Sequence, residues 1–459
     1  MNPDRKIKPF YRIHFPSSLK EGLRGGVFVF QSSSVGRKTN NKSPLTYRSC
    51  SASFQILMYN HFSKPGFCGC DFEVLPHTIL KKQWPLIPGD FLNCLRMINA
   101  MKTENVPLVV IGLGRVGREV LHQILECGET IRRLARVSYS IIALADSSAV
   151  FGSQDGLDEG LLIKLLAHKE SGLTLKEFPG SFPLASLSDF CYPGVLWADT
   201  SASAETAPFL RLALENGSAV ALANKLPLAL SGKDSAVFFR NPRVRYESTV
   251  GAGLPVIAAL RDLLAGGDEI TAIEGCMSGT LGYICSQLEQ GKNFSAAVLN
   301  AFKSGYTEPD PRQDLGGLDV ARKALILSRT AGFNGEMADI MLESLYPGSQ
   351  KKLDLQDFLN TLPELDSQFQ ERVVKAGPEG KVLRYMARVT PESISVGLTA
   401  VPKSSALGAL QGTDNYFAFH TLRYHTSPLV ISGPGAGIPV TAAGVISDLN
   451  HLATSRERA

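Results

Sequence analysis

The chain of 459 residues, 44% hydrophobic and 20% charged, holds enough apolar material for two or three globular domains. A net charge of +4 without a basic stripe of interleaved aromatics argues against nucleic acid as a partner, and the lack of an apolar run of about 18 residues argues against a membrane span. The eight cysteines (Cys50, Cys68, Cys70, Cys94, Cys127, Cys191, Cys276, Cys285) form no CxxC pair and no Cys/His array, so reduced thiols in an intracellular compartment are expected.

Residues 1–102 differ in kind from the rest. The first sixty hold ten Lys or Arg against only Asp4 and Glu21, with nine serines and no persistent period, which is organelle-targeting composition. The competing reading is that translation starts at Met97 or Met101. The first reading places the protein in a plastid, the second in the cytoplasm.

From Val106 the texture becomes βαβ: the run VPLVVIG, a glycine turn, then RVGREVLHQILECGETIRRLARV at helical spacing. YSIIALAD ends at Asp146, and GVLWADTS and GSAVALANK end near Thr200 and Lys225. In an open parallel sheet such polar strand ends line one crevice. Beyond Arg245, YESTVGAGLPVIAALRDLLAG and EITAIEGCMSGTLGYICSQLEQG read as strand, turn and helix of a second domain. A polar helical stretch runs to about Gly380, KVLRYMARVT and SISVGLTAV read as the edge of an antiparallel sheet, and LVISGPGAGIPVTAAGVISDLNHLA reads as a glycine loop opening a helix.

Gly112-Leu113-Gly114-Arg115-Val116-Gly117 lies between a strand and a helix, the context that a dinucleotide fingerprint requires, because its glycines permit a tight turn and close approach of backbone to pyrophosphate. Asp146, at the end of the second strand, can accept from a ribose 2′-hydroxyl, which favours NAD. Arg115 in the turn can instead attract the 2′-phosphate of NADP, so the preference stays open. Glu247 to Pro255 is a glycine turn that reads as a tight linker, as a carbonyl site for a cation, or as a backbone approach to the cofactor.

The stretch GYTEPDPRQDLGGLDVARK carries most of the chemistry. Asp319 and Lys323 fall at i and i+4 on one helix face, downstream of Glu308, Asp310 and Asp314 in a loop stiffened by Pro309 and Pro311. As a solvent-exposed pair, Asp319 and Lys323 are worth a few tenths of a kcal/mol. Next to an apolar helix stripe, they suit a small zwitterionic substrate: carboxylates hold an α-ammonium group, and the lysine gives a proton to a carbonyl oxygen.

Together with Asn224-Lys225, YESTVGAGLPVI, MSGTLGYI and GAGIPVTAAGV, these segments make residues 106 to 450 resemble homoserine dehydrogenase. The resemblance implies an α/β fold, with an N-terminal Rossmann-type dinucleotide-binding domain (103–245), an α+β catalytic and dimerisation domain (246–430), and a C-terminal loop and helix (431–459) returning to the cofactor domain. It implies NAD(P)H-dependent, reversible reduction of aspartate 4-semialdehyde to homoserine by a monofunctional homodimer. Lys323 would be the proton donor, Lys225 would orient the substrate beside the cofactor, Glu308 would bind the α-ammonium, and Asp314 and Asp319 would complete the pocket. Thr200 and Gly437 would touch the cofactor, and the carbonyls of Glu247, Val250, Ala252 and Leu254 would hold a sodium ion. The alternatives are a dinucleotide-binding sensor or scaffold without turnover, and a dehydrogenase of a related amino-acid semialdehyde.

Overall fold

The computed structural model describes residues 103–455 and, of the chain before them, the backbone of two short strands. The chain divides into two compact units, Met1–Asn93 and Cys94–Ala459. In the first, β1 (Gly26–Phe28) pairs antiparallel with β2 (Met58–Asn60). The targeting reading, the alternative starts at Met97 and Met101, and Cys50, Cys68, Cys70 and Cys94 otherwise lie outside the described residues.

The second unit opens with the expected βαβ. The run ENVPLVVI forms β3 (Glu104–Ile111), and α1 (Arg115–Ala135) leads to β4 (Val137–Ala145). A short β5 (Val150–Gly152), α2 (Glu159–Glu170), β6 (Leu196–Asp199), α3 (Ala207–Glu215), β7 (Ala219–Leu222) and β8 (Val244–Arg245) complete a six-stranded sheet of order β5-β4-β3-β6-β7-β8. All pairings are parallel except the β4–β5 edge. A near-continuous apolar strand is the signature of a sheet covered on both faces. Accordingly, Val106, Leu108 and Val110 point into one core, Val109 and Ile111 into another. The strand order reverses between β4 and β6 around β3, so the crevice beyond their carboxyl ends is the place where such sheets bind ligands.

The chain then passes through α4 (Val256–Ala265), β9 (Ile270–Cys276), α5 (Gly279–Glu289), α6 (Leu318–Thr330), β10 (Met341–Leu342), α7 (Asp366–Ala376), β11 (Lys381–Val389), β12 (Ile394–Pro402), β13 (Asp414–Thr421) and β14 (Leu429–Pro434). Six of these strands make a second sheet, β10-β12-β11-β9-β13-β14, antiparallel except for β10 against β12. The run KVLRYMARVT, which reads as a sheet edge, is not one. Instead β11 lies inside the sheet between β12 and β9, and its nearly unbroken burial, rather than alternation, is the reason. Leu383, Tyr385 and Ala387 of β11 join the core beneath the helices. That core is continuous with one face of the first sheet, so the two lobes share apolar packing. The final helix α8 (Ile438–Ser455) sends Ala442, Val445, Leu449 and Leu452 into the core on the other face of the first sheet.

Candidate active site

The glycine turn has the geometry its three glycines require. Gly112 has φ +89°, and a Cβ there would meet the Ser201 backbone nitrogen at 2.4 Å. At Gly117 a Cβ would meet the Gly112 carbonyl oxygen at 2.0 Å and the Thr200 Oγ1 at 2.6 Å, so α1 packs closely against the turn. Around Gly114 the space is open. The first and third glycines thus serve the turn and the helix packing, and the second leaves the start of α1 accessible to a phosphate. Leu113 is buried, Val116 half-buried, and Arg115 exposed at the helix start. Thr200 binds the turn directly: its Oγ1 donates to the carbonyls of Ile111 at 2.9 Å and Gly112 at 2.7 Å.

Asp146 stands at the end of β4, but its carboxylate is committed within the protein. Oδ1 accepts from the Ser148 backbone N–H and hydroxyl and from the Ala149 N–H. Oδ2 accepts from the Leu175 N–H and pairs with the Lys169 ammonium at 2.5 Å. Burial pushes this carboxyl up, but Lys169 and the other donors outweigh it and bring it down to about 2. Five donors exhaust the lone pairs that would receive a ribose hydroxyl.

Next along the crevice lies a buried polar knot that sequence reading missed. Asp199, fully buried at the end of β6, accepts from Thr206 Oγ1 at 2.7 Å, the Ser201 N–H at 2.9 Å and Asn224 Nδ2 at 3.0 Å. Burial pushes its carboxyl up, against the pull of these donors. The Asn224 amide also donates to the Ser203 carbonyl, and its Oδ1 accepts from the Leu226 N–H. The knot fixes the backbone on both sides of Lys225. The only sequence signal for it is an acidic residue closing an otherwise apolar strand.

Across the crevice, a cleft of about 940 Å³ is lined by residues of both lobes, among them Ser201, Asn224, Lys225, Ser278, Glu308 and Asp319. Asp319, in the first turn of α6, bridges two lysines: Lys323 at 2.9 Å and Lys225, from the other lobe, at 3.2 Å. Lys323 also donates to the Met277 carbonyl at 2.6 Å. Burial raises the Asp319 carboxyl, but Lys323 and Lys225 together outweigh this and hold it far below the usual carboxylate range. Nearly half of the Asp319 side chain, 47%, remains open to the cleft.

Glu308 is exposed at the cleft wall, and its backbone N–H donates to Asp314 Oδ2 at 2.8 Å. Asp314 Oδ1 accepts from Thr280 Oγ1 at 3.1 Å. Burial pushes the Asp314 carboxyl up, as do the charges of Glu308 and Asp319. Asp314 therefore sets the loop that presents Glu308, and Thr280 is a second residue that sequence reading missed. Asp310 lies apart, clamped on Arg312 at 2.7 Å.

The junction turn contains Gly251 at φ +83° and Ala252 at φ +57°, a left-handed angle rare for a residue with a Cβ. Glu247 caps α4 with its carboxylate, accepting from the Ile257 and Ala258 N–H groups at 2.7 and 2.8 Å. Its carbonyl takes the Val250 N–H, and the Leu254 carbonyl takes the Val256 N–H. Gly437, at φ +135°, immediately precedes α8, whose Pro439 carbonyl accepts from Gln123 of α1 at 2.9 Å. Among the described residues no group of three or more His, Cys, Asp or Glu is placed to hold a metal, no helix is long and apolar enough to cross a membrane, and Cys127, Cys191, Cys276 and Cys285 are free thiols.

The homoserine dehydrogenase family model matches residues 255–449. Homoserine dehydrogenase of Saccharomyces cerevisiae is 37% identical over 367 residues, covering 77% of this chain and 99% of its own. The bifunctional aspartokinase/homoserine dehydrogenase of Haemophilus influenzae is 34% identical over 354 residues, covering 75% of this chain. The chain spans only 42% of that longer relative. Among solved structures, a hyperthermophilic archaeal homoserine dehydrogenase in complex with NADPH shares the fold with a TM-score of 0.57 at 23% identity, covering 75% of this chain and 97% of that one. The chain belongs to the homoserine dehydrogenase family, oxidoreductases that use NAD(P).

Proposed function

We propose that the cleft passes hydride between a nicotinamide cofactor and the aldehyde carbon of aspartate 4-semialdehyde, giving homoserine reversibly. The observation that carries this reading is the convergence of Lys225 and Lys323 on Asp319 at the crevice beyond the glycine turn. Hydride arriving at an aldehyde carbon leaves an alkoxide, which needs an acid within hydrogen-bond reach. Lys323, held between Asp319 and the Met277 carbonyl, is that acid. Lys225, fixed by the Asn224 knot, orients the carbonyl. Glu308 takes the substrate α-ammonium, and Asp314 places Glu308. Asp319 keeps both ammonium groups on the cleft side.

On the cofactor side, the glycine turn with open space at Gly114 receives the pyrophosphate. Thr200 holds the shape of that turn through the Ile111 and Gly112 carbonyls and, as the resemblance implies, meets the cofactor beside it. The pairing of Asp146 with Lys169 leaves no free carboxylate to repel a 2′-phosphate, which supports use of NADP(H) at least as readily as NAD(H). The resemblance places a sodium ion on the carbonyls of Glu247, Val250, Ala252 and Leu254, of which those of Glu247 and Leu254 each accept one N–H and keep a second lone pair. These neutral oxygens suit a monovalent cation, and the left-handed Ala252 bends the chain sharply there. Such an ion would brace the turn between the lobes. A homodimer is supported by Leu422, Tyr424 and Val430, exposed at and just before the edge strand β14.

The test is the change in nicotinamide absorbance when the purified protein meets homoserine with NADP or NAD. The expected result is turnover with either cofactor. Binding of cofactor without turnover would mark a sensor or scaffold, and turnover only of a homologous hydroxy amino acid would mark a related semialdehyde dehydrogenase.

A further inference from the structure

The amide of Asn415 takes no part in the scheme above, yet it lies beside it. Asn415 is the second residue of β13 and 1% exposed, and neither its Nδ2 nor its Oδ1 has a hydrogen-bond partner among the described residues. A buried amide with both donor and acceptor unmatched is costly, and such groups are rare in native proteins.

Gly435 lies directly over this amide. A Cβ at Gly435 would come within 1.9 Å of the Asn415 Nδ2 and 2.0 Å of its Cγ. Gly435 belongs to the strap Pro434-Gly435-Ala436-Gly437 that joins β14 to α8. Gly433 and Gly437, two residues to either side of Gly435, have φ of +156° and +135°, angles reached easily only by glycine, so the chain bends at both, and Gly435 carries no Cβ to hinder its own peptides. Both ends of the strap are anchored. Gly433 pairs with Asn415 in the sheet, Ser432 Oγ donates to the Asn415 carbonyl at 3.0 Å, and Gln123 of α1 holds Pro439. On its other side β13 runs beside β9, with Tyr416 opposite Cys276, one residue before the Met277 whose carbonyl holds Lys323.

We propose that Asn415 is a positioning residue that latches this strap when the nicotinamide cofactor enters. The peptides around Gly435 turn so that a backbone carbonyl accepts from the Asn415 amide N–H and a backbone N–H donates to its Oδ1. With the strap latched, both ends of the Asn415 amide have a backbone partner. The inference rests on the reading of the cleft as a nicotinamide site.

Thermal unfolding of the full chain with and without NADPH tests it, in the wild type, Asn415→Leu and Asn415→Ala. Exchanging an unmatched buried amide for an apolar group of similar volume is neutral or stabilising. Free Asn415→Leu should therefore melt at or above the wild-type temperature, while its NADPH-induced shift falls to less than half. Loss of the two hydrogen bonds should raise the KM for NADPH about tenfold, with kcat at saturating cofactor changed far less. Should Asn415→Leu fail to fold, Asn415→Ala decides by its NADPH-induced shift alone. Free Asn415→Leu melting clearly below wild type would show an amide already partnered, as by an internal water, and would overturn the latch. Variants that keep the full NADPH-induced shift overturn it as well. A wild-type protein without any NADPH-induced shift removes the cofactor reading, and the latch with it.

Discussion

Asp146 and Asp319 each neutralise a lysine, and each sits at the crevice end of its lobe, yet the two pairs do opposite things. Asp146 and Lys169 are 2.5 Å apart, with 10% and 11% of their side chains exposed, and the carboxylate takes four further donors from the loops around it. Asp319 pairs with Lys323 at 2.9 Å and with Lys225 at 3.2 Å, takes no backbone donor among the described residues, and leaves 47% of its side chain facing the cleft. Pairing type and distance are nearly alike. What separates a lock from a reactive site is the number of lone pairs left over and the space in front of them.

The sharpest break between the two pairs comes from removing the lysines. Lys323→Ala should lower kcat for homoserine oxidation by at least about a hundredfold, the lower bound of a general-acid contribution, with the Kd for NADPH within about threefold of wild type. Lys169→Ala should leave kcat within about threefold. Steady-state rates and NADPH fluorescence titration read both. A Lys323→Ala variant with near wild-type turnover would remove its proposed role and make the two pairs equivalent.

Acid stability tests the locked pair next. The Asp146 carboxyl sits at about 2 in the folded protein, below its unfolded value of about 3.9. A lowered carboxyl contributes stability that is present above the unfolded value and lost as pH falls through the folded one, here between about pH 4 and pH 2. The shift corresponds to roughly 2 kcal/mol. Asp146→Asn should be less stable than wild type by about that amount at pH 6, and the difference should shrink toward pH 2. Urea unfolding across this range measures it. A difference that does not change with pH would show that the Asp146 network does not depend on its charge.

The legibility of the two regions differs for the same physical reason. The cofactor edge is built by backbone, so glycines at fixed spacing after an apolar strand announce it, and the structure assigns Gly112, Gly114 and Gly117 separate steric tasks. Asp319 and Lys323 were visible because helical periodicity puts them on one face within a single element. Their union with Lys225 was not visible from spacing, since it joins two lobes across 94 positions; the family resemblance supplied only the role of Lys225 beside the substrate. Asp199, Thr206 and Thr280 act by holding other residues in place, and nothing in local sequence separates an acidic residue at a strand end that anchors a knot from one that meets a ligand. Asp146 is the instructive case, because its position predicted a ribose contact while its partners, 23 and 29 residues downstream, could not be read. The strand β13 went unread because its aromatic run DNYFAFHT is buried along most of its length and lacks the alternation that marks a half-exposed strand.

Cofactor choice gives the finest discrimination. If Lys169 does no more than hold Asp146, replacing it leaves the choice between NADP and NAD untouched. If the pair instead cancels charge where the adenosine ribose would lie, Lys169→Met removes the compensating cation while the Ser148, Ala149 and Leu175 donors still hold Asp146 in place. The uncompensated carboxylate then opposes a dianionic 2′-phosphate but not a 2′-hydroxyl. The ratio of kcat/KM for NADP over NAD should fall about tenfold, nearly all of it in the KM for NADP, with kcat at saturation unchanged. Higher salt should narrow the gap, because the repulsion acts between partly solvated charges while hydrogen bonds to a hydroxyl do not depend on screening. A ratio that stays constant at both low and high salt would place the ribose away from Asp146 and return this pair to a purely structural role.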